Sequence, residues 1–384
     1  MPIKNRIANY QNEMIKWRHH FHENPELAYE EVNTSKKVVS LLKQFGISKI
    51  EEGIGKTGVV AVLENGKGKS IGLRADMDAL PIHEENQGRK YKSKIIGKMH
   101  ACGHDGHTTM LLGAAKYLAE TKNFKGRVVL IFQPAEEGFA GAKAMIKDGL
   151  LQKYPIDEIY GMHNIPGLEK GVLAVESGPR LAAADNFEVE IIGKGAHGAM
   201  PSNSIDPIVC SASIIQNIQS IVSRNSDPKE TLVITVASIN SGKANNVIPK
   251  IAKLTGTVRY YDNEVGKLAK KRFLDIVNST SHAFGAKAII DFHKGYPATV
   301  NHQEQSIFAY NIAKKVIGLK ASNHQKPMMG SEDFSYFLNK VPGCFAWIGN
   351  GNSASLHNPK YDFNDDVLSI GSSFLASLAE ERLV

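Results

Sequence analysis

The stretch that decides the fold is residues 128–138, VVLIFQPAEEG. It opens with five apolar residues, a run whose length is typical of a strand buried on both faces of a sheet. Gln133 and Pro134 follow, and then the adjacent carboxylates Glu136 and Glu137. Two acidic groups beside a buried strand are costly without partners, so the end of this strand is a candidate functional site.

Outward from this strand, short apolar runs alternate with helical patterns. Strands are predicted at residues 58–63, 70–73, 127–132 and 158–163, and a helix is predicted at residues 108–119. This alternation predicts an α/β fold with an open mixed sheet.

The pattern changes near residues 177–179 (Ser-Gly-Pro), where a β-α-β-β-α-β order begins. That order is typical of a ferredoxin-like unit, which folds independently. After residues 295–297 (Gly-Tyr-Pro) the chain returns to its earlier α/β character. We therefore predict a discontinuous larger domain, residues 1–179 and 296–384, with a ferredoxin-like domain, residues 180–295, inserted into it.

The net charge raises the question of a nucleic-acid partner. The chain of 384 residues has 46 Lys and Arg against 39 Asp and Glu, a net charge of +7. Residues 181–295 hold 13 basic and 10 acidic residues, which is +3, so the remaining +4 lies elsewhere. Nucleic-acid binding requires clustered positive charge. This even spread predicts a solvated surface and no nucleic-acid partner.

Cysteine usage and the N-terminal sequence indicate the compartment. Three cysteines, Cys102, Cys210 and Cys344, are too few for a disulfide framework and indicate a reducing environment. The first residues, MPIKNRIANYQNEMIKW, are polar and charged and lack the apolar core of a secretory signal. The longest apolar run is far shorter than the about 20 residues that span a bilayer. We expect a cytoplasmic protein with no membrane partner.

Metal-binding side chains occur in positions similar to that of the carboxylate pair. Cys102 and His104 precede a predicted helix, His163 follows an apolar strand, and His357 lies near the C-terminus. Thiolate and imidazole ligands suit zinc and related metals. Of two adjacent carboxylates, one can hold a metal while the other accepts a proton from water. Taken singly, the Cys102 and His104 cluster is explained equally well by a polar turn, and a lone histidine such as His163 or His357 is more often structural than a ligand. Their coincidence favours a metal-dependent site.

These residues lie in longer motifs. In chain order the motifs are RHHFHENPEL (18–27), GLRADMDALP (72–81), CGHD (102–105), QPAEEG (133–138), GMH (161–163) and LHNP (356–359). The set resembles the aminoacylase/carboxypeptidase-G family of dinuclear metal amidohydrolases, from residue 18 to residue 365. Within that family it is most similar to the branch of hippurate hydrolases, plant auxin–amino-acid conjugate hydrolases and N-acetyldiaminopimelate deacetylases.

The resemblance implies two divalent metal ions held by five ligands: Cys102, His104, Glu137, His163 and His357. It implies that Glu136 is the general base. Where much of the wider family has His-x-Asp, this chain has Arg74 and Asp76, and His104 is expected to replace the missing histidine. Asp76 is then expected to orient a ligand histidine. The branch favours Mn²⁺, the cysteine ligand favours Zn²⁺, and Co²⁺ and Ni²⁺ are further candidates.

The resemblance also assigns residues of the inserted domain. In relatives, a histidine that corresponds to His197 reaches the active site of the neighbouring subunit and stabilises the oxyanion. Residues that correspond to Asn246 and Arg259 bind the free carboxylate of the substrate, for which a guanidinium is well suited. The resemblance therefore implies a catalytic larger domain, with residues 180–295 as a lid and dimerisation domain of a homodimer or higher homo-oligomer.

The function implied is metal-assisted hydrolysis of a small-molecule N-acyl amino acid, of the hippurate, N-acetyl or aryl-acetyl type. A dipeptidase or aminopeptidase that uses the same site is the alternative among enzymes. A non-catalytic metal-binding or nucleic-acid-binding protein is the alternative outside them. The motif GSEDF (330–334) also fits the family, but no chemical role follows for Glu332 or Asp333. Met328, Met329 and Phe334 are candidates for the substrate pocket.

Overall fold

Helices and strands alternate over most of the chain in the computed structural model, which describes residues 4–86 and 88–384. The helices are α1 (Asn5–Ala8), α2 (Gln11–Glu23), α3 (Val32–Gln44), α4 (His104–Thr121), α5 (Gly141–Lys147), α6 (Leu150–Lys153), α7 (Pro207–Ser220), α8 (Asn263–Ala283), α9 (Gln303–Ile317), α10 (Ser335–Leu338) and α11 (Leu368–Arg382). The strands are β1 (Lys49–Ile54), β2 (Gly58–Asn65), β3 (Ser70–Asp76), β4 (Gly126–Gln133), β5 (Glu158–Pro166), β6 (Leu173–Ala174), β7 (Gly178–Leu181), β8 (Ala183–Ile192), β9 (Ala196–His197), β10 (Leu232–Ser241), β11 (Val247–Ile248), β12 (Ile251–Tyr260), β13 (Lys287–Tyr296), β14 (Thr299–Asn301), β15 (Ala321–Ser322) and β16 (Gly343–Gly351). The predicted α/β class is confirmed.

The chain divides into two units. Unit 1 comprises Met1–Arg180, Val300–Lys326 and Asp333–Val384, and unit 2 comprises Leu181–Thr299 and Pro327–Glu332. The short second segment of unit 2 is absent from the organisation predicted above. It joins unit 2 because Leu181 forms a β-bridge with Met328, and Ala182 N donates to Gly330 O at 2.8 Å.

Unit 1 is built on an eight-stranded mixed sheet in the order β1-β2-β4-β3-β5-β16-β6-β15. Strand β3 runs parallel to both β4 and β5, and β16 runs parallel to β5. Residues 128–132 of β4 are fully buried, in accord with their uninterrupted apolar sequence. Because β3, β4 and β5 are parallel, their carboxyl ends meet at one edge of the sheet, where sites in α/β folds usually lie.

Close packing of α4 against α11 fixes the helix that begins at His104. The Ser372 hydroxyl of α11 donates to Met110 O of α4 at 2.9 Å. A Cβ on Gly371 would lie 2.0 Å from Met110 Sδ, and one on Gly113 would lie 2.4 Å from Ser372 Oγ. Small residues at this contact therefore let the two helices approach closely.

Unit 2 contains a four-stranded antiparallel sheet in the order β10-β12-β8-β13. Its elements follow one another as β8, α7, β10, β12, α8 and β13, with short β9 and β11 between them, so the predicted β-α-β-β-α-β order is observed. Asp206 and Asp262 cap α7 and α8 by accepting backbone N–H groups of the first turn. Phe187 and Phe273 pack at the centre of its core, with ring centroids 4.5 Å apart.

In the part of the chain that the structure describes, no helix has both the length and the apolar character needed to cross a membrane. Cys102, Cys210 and Cys344 are all buried, and none forms a disulfide.

Candidate active site

The carboxyl ends of β3, β4 and β5 carry predicted site residues to one edge of the unit 1 sheet. β3 ends at Asp76, and β4 ends at Gln133, three residues before Glu136. His163 lies near the end of β5. The turn after β4 passes through Ala135 with φ +53°, in the left-handed region that non-glycine residues seldom adopt.

Among the described residues, five groups of side chains each bring potential ligand atoms within 4.8 Å of one another, and three of these groups consist only of predicted ligands and the predicted base. These three are Cys102, His104 and His163; Cys102, Glu137 and His357; and His104, Glu136 and Glu137. Cys102 Sγ lies 3.3 Å from His163 Nε2, and His357 Nε2 lies 3.2 Å from Glu137 Oε1. Because the groups share members, all five predicted ligands and the predicted base lie together.

The donor set fits a divalent cation. It combines one sulfur, imidazole nitrogens and carboxylate oxygens, which suit zinc and its neighbours. His104 Nε2 is buried and has no hydrogen-bond partner among the described residues, a state that a bound cation would relieve. Burial raises the pKa of the Cys102 thiol well above its usual range, and the charge of Glu137 raises it further. A cation beside Cys102 and Glu137 would instead lower the pKa of the thiol and favour the thiolate.

Asp78 supports two of these residues at once. Its Oδ1 bonds to His104 Nδ1 at 3.2 Å, and its Oδ2 accepts from Glu137 N at 2.9 Å. Burial alone would lower the pKa of His104, but the charge of Asp76 and the hydrogen bond to Asp78 raise it to about 10. Metal binding requires the neutral ring, and because Nδ1 is bonded to a carboxylate, Nε2 is the nitrogen that would give up its proton and offer its lone pair. Asp78 is therefore the carboxylate that orients His104.

Asp76, which was predicted from the sequence to orient a ligand histidine, bonds to His107. Its Oδ1 lies 2.6 Å from His107 Nδ1, and Asn164 N donates to His107 Nε2 at 3.0 Å. The rings of His107 and His163 lie 4.4 Å apart. Burial would raise the pKa of Asp76, but the positive charge of His104 holds it well below its usual range. Through His107 and Asn164, Asp76 is thus connected by hydrogen bonds to the segment that carries His163.

A glycine separates Cys102 from His104. Gly103 has φ +90°, and a Cβ there would lie 2.3 Å from Asn164 Nδ2 and 2.6 Å from Tyr361 Oη. Asn164 Nδ2 donates to Cys102 O at 2.7 Å, and Tyr361 Oη donates to Asn164 Oδ1 at 2.7 Å. Only glycine fits this position, both for its backbone angle and for its space.

Asp78, His107 and Asn164 were not predicted from the sequence as site residues. Each is a polar residue inside or directly beside a motif that carries a predicted ligand, which is the signal that could have marked it. Their partners could not be read in the same way, since His107 and Asn164 are 57 residues apart in the chain.

The remaining predicted residues lie in unit 2. His197 in β9 pairs with Val247 in β11, and Gly198 N donates to Asn246 O at 2.7 Å, so His197 and Asn246 are neighbours. Both are exposed. Arg259 lies on another sheet, in β12, where its Nε donates to Thr257 Oγ1 at 3.1 Å and burial lowers its pKa.

Comparison with known proteins identifies the family. The model of peptidase family M20/M25/M40 matches residues 72–381. The chain belongs to this family. The resemblance inferred from the motifs is thereby confirmed, and with it the assignment to the hydrolases.

Curated relatives of this M20/M25/M40 family member match over nearly its whole length. The hippurate hydrolase of Campylobacter jejuni is 45% identical over 380 residues, which cover 98% of each chain. The IAA-amino acid hydrolase ILR1-like 4 of Arabidopsis thaliana is 39% identical over 398 residues, covering 100% of this chain and 90% of the relative.

A solved structure shares the fold. The Bacillus subtilis YXEP protein, a dinuclear metal binding peptidase from the M20 family, superposes with a TM-score of 0.86 at 33% identity. The match covers 98% of this chain and 99% of that one.

Proposed function

We propose that this M20/M25/M40 family member hydrolyses the amide bond of N-acyl amino acids to a carboxylic acid and a free amino acid. The observation that carries the proposal is the position of Glu136, a carboxylate next to Glu137 and within 4.8 Å of it and His104. Such a carboxylate is suited to accept a proton from water at a metal centre. The similarity to enzymes named for hippurate and for IAA–amino acid conjugates supports acylated amino acids as the substrate class.

We propose that two divalent ions, Zn²⁺ or Mn²⁺ with Co²⁺ and Ni²⁺ as further candidates, are held by Cys102, His104, Glu137, His163 and His357. The dinuclear centre named for the Bacillus subtilis structure supports this number. When bound, such ions lower the pKa of water and polarise the acyl carbonyl.

Glu136 is proposed as the group that moves the proton. It accepts a proton from the attacking water while the water oxygen bonds to the acyl carbon. The bond from that carbon to nitrogen then breaks, and Glu136 returns the proton to the leaving nitrogen. Glu136 as a whole residue is 7% exposed, so bulk water competes little for this proton.

For unit 2 we propose a role as lid and dimerisation unit of a homodimer or higher homo-oligomer. His197 is proposed to stabilise the oxyanion in a neighbouring subunit, and Asn246 and Arg259 are proposed to bind the substrate carboxylate. The exposure of His197 and Asn246 supports this, because both are open to a ligand or a second subunit. A cytoplasmic location is proposed on the three unpaired cysteines.

The test is a substrate screen with paired variants of the two adjacent carboxylates. Metal-loaded protein is assayed on N-benzoyl, N-acetyl and indole-acetyl amino acids and on unblocked dipeptides, with chelator controls. Glu136→Gln should lose roughly 10²–10⁴-fold in kcat and keep its metal. Glu137→Gln should lose metal as well. Near-normal turnover by Glu136→Gln would refute the proton-transfer role, and a preference for unblocked dipeptides would refute the substrate class.

A further inference from the structure

Asp333, in the motif GSEDF, is a buried carboxylate that the proposed reaction does not use. Its side chain has no exposed surface, and neither does that of Arg74, its ion-pair partner at 3.0 Å. A buried carboxylate is strongly destabilising unless its charge and lone pairs are satisfied. The structure satisfies them with residues from three elements of unit 1.

Four contacts engage both oxygens of Asp333. Arg74 Nη2 donates to Oδ1 at 3.0 Å, and Gln133 Nε2 lies 2.8 Å from Oδ1 and 2.9 Å from Oδ2. Ala142 N donates to Oδ2 at 2.9 Å. Residue 333 is thereby tied to β3 through Arg74, to β4 through Gln133 and to α5 through Ala142.

The backbone fixed in this way contacts the proposed base. Asp333 N donates to Glu136 Oε1 at 3.4 Å. We propose that Asp333 is a positioning residue for Glu136: its side chain anchors the segment whose N–H holds the Glu136 carboxylate in place. The inference rests on the proposed function, in which Glu136 transfers the proton.

Arg74 explains why such an anchor is available in this chain. The resemblance shows a histidine at this position in much of the wider family, whereas a guanidinium has no lone pair and cannot bind a metal. Its fork bonds instead to Asp76 Oδ2 at 2.8 Å and to Gln133 Oε1 at 2.7 Å, besides Asp333. The buried guanidinium of Arg74 therefore connects Asp333, whose N–H contacts Glu136, to Asp76. Asp76 in turn is the carboxylate that bonds to His107.

The experiment compares metal-loaded wild type with Asp333→Asn. The amide turns one acceptor into a donor that faces other donors, so the anchor is lost with little change in volume. A displacement of about 1 Å at a catalytic group costs roughly 10²-fold in rate. We expect kcat and kcat/KM to fall together by about 10–100-fold with KM within about twofold, since only the transition-state interaction is lost.

Two further variants keep the test decisive if Asp333→Asn folds poorly. Gln133→Met removes two of the contacts to Asp333 but leaves the ion pair with Arg74, and it should lower kcat in the same way by a smaller factor. Asp157→Asn is the matched control, because Asp157 Oδ2 accepts from Ser70 N at the opposite end of β3. It should keep wild-type kcat.

A double-variant cycle separates positioning from general stabilisation. Glu136→Asp withdraws the carboxylate from Asp333 N, so adding Asp333→Asn to it should cost several-fold less than in wild type. Equal losses in both backgrounds, or a change in KM with unchanged kcat, would overturn the inference.

Crystal structures of wild type and Asp333→Asn give a readout that does not depend on activity. Displacement of the Glu136 carboxylate in the variant supports the inference, and an unchanged position overturns it. A wild type that hydrolyses no N-acyl amino acid would refute the proposed function, and the crystallographic comparison would still decide the role of Asp333.

Discussion

Replacing Asp78 by Asn should weaken metal binding although Asp78 is not one of the proposed ligands. Its two oxygens serve two different groups, His104 Nδ1 at 3.2 Å and Glu137 N at 2.9 Å. An Asn side chain keeps one acceptor and gains a donor. If the oxygen stays with Glu137 N, the new amide donates to His104 Nδ1. That favours the tautomer in which Nε2 carries the proton and has no lone pair for a metal.

The expected magnitude follows from this geometry. Loss of a carboxylate that orients a ligand typically costs 10–100-fold in metal affinity, or about 1.4–2.7 kcal/mol. Asp78→Asn should lie near the upper end, because it both removes the orienting charge and stabilises the wrong tautomer. Asp78→Ala removes the charge without supplying a donor, so its loss should lie near the lower end.

The assay is competition between apo-protein and a chromophoric chelator for Zn²⁺ and for Mn²⁺, with circular dichroism to verify folding. Asp148→Asn is the matched control, since Asp148 Oδ2 also accepts from a backbone N–H, that of Gly55, at 2.8 Å. It should bind metal as wild type does. Folded Asp78→Asn with wild-type affinity would refute the orienting role, and a larger loss in Asp78→Ala than in Asp78→Asn would refute the tautomer argument.

Two further predictions concern stability. Burial raises the pKa of Glu31 from 4.5 to about 7, so the folded state binds more protons than the unfolded state between these values, and stability falls as pH rises through that window. This pH dependence of the free energy of unfolding is on the order of 3 kcal/mol at most, and Glu31→Gln should remove it. The free energies obtained from urea unfolding at pH 5 and pH 8 should then differ less in the variant than in wild type. An unchanged difference would contradict the assignment. Gly103→Ala should lower stability by more than about 1–3 kcal/mol, the cost of the left-handed backbone alone, because its Cβ also meets Asn164. Gly46→Ala, with φ +80° and nothing within 4 Å, is the thermal-unfolding control for the backbone cost, and equal losses in the two variants would contradict the steric argument.

Local sequence determined the α/β class and the β-α-β-β-α-β order of unit 2. Residues 128–132 are predicted as a buried strand because five consecutive apolar residues leave no face for water, and the structure buries all five in β4. The motifs in turn implied which side chains converge, and the structure brings together Cys102, His104, Glu137, His163 and His357 with Glu136. Whether these residues bind metal, and whether His197, Asn246 and Arg259 bind substrate, stay predictions.

Tertiary structure alone decided which acidic residue serves which partner. Asp76 and Asp78 are two positions apart, so a strand pattern would put them on the same face and could not separate them. The separation arises because β3 ends at Asp76, after which the chain leaves the sheet and Asp78 meets His104.

Tertiary structure also decided the partners of Asp333. The sequence shows its motif, GSEDF, but not the side chains that contact it. Gln133 lies 200 positions earlier in the chain and Arg74 lies 259 positions earlier. The sequence by itself determined the elements and the types of residue at their ends, since periodicity and turn chemistry are local. The choice of hydrogen-bond partners required the folded chain, because it depends on distances between side chains that only the packing of separate segments sets.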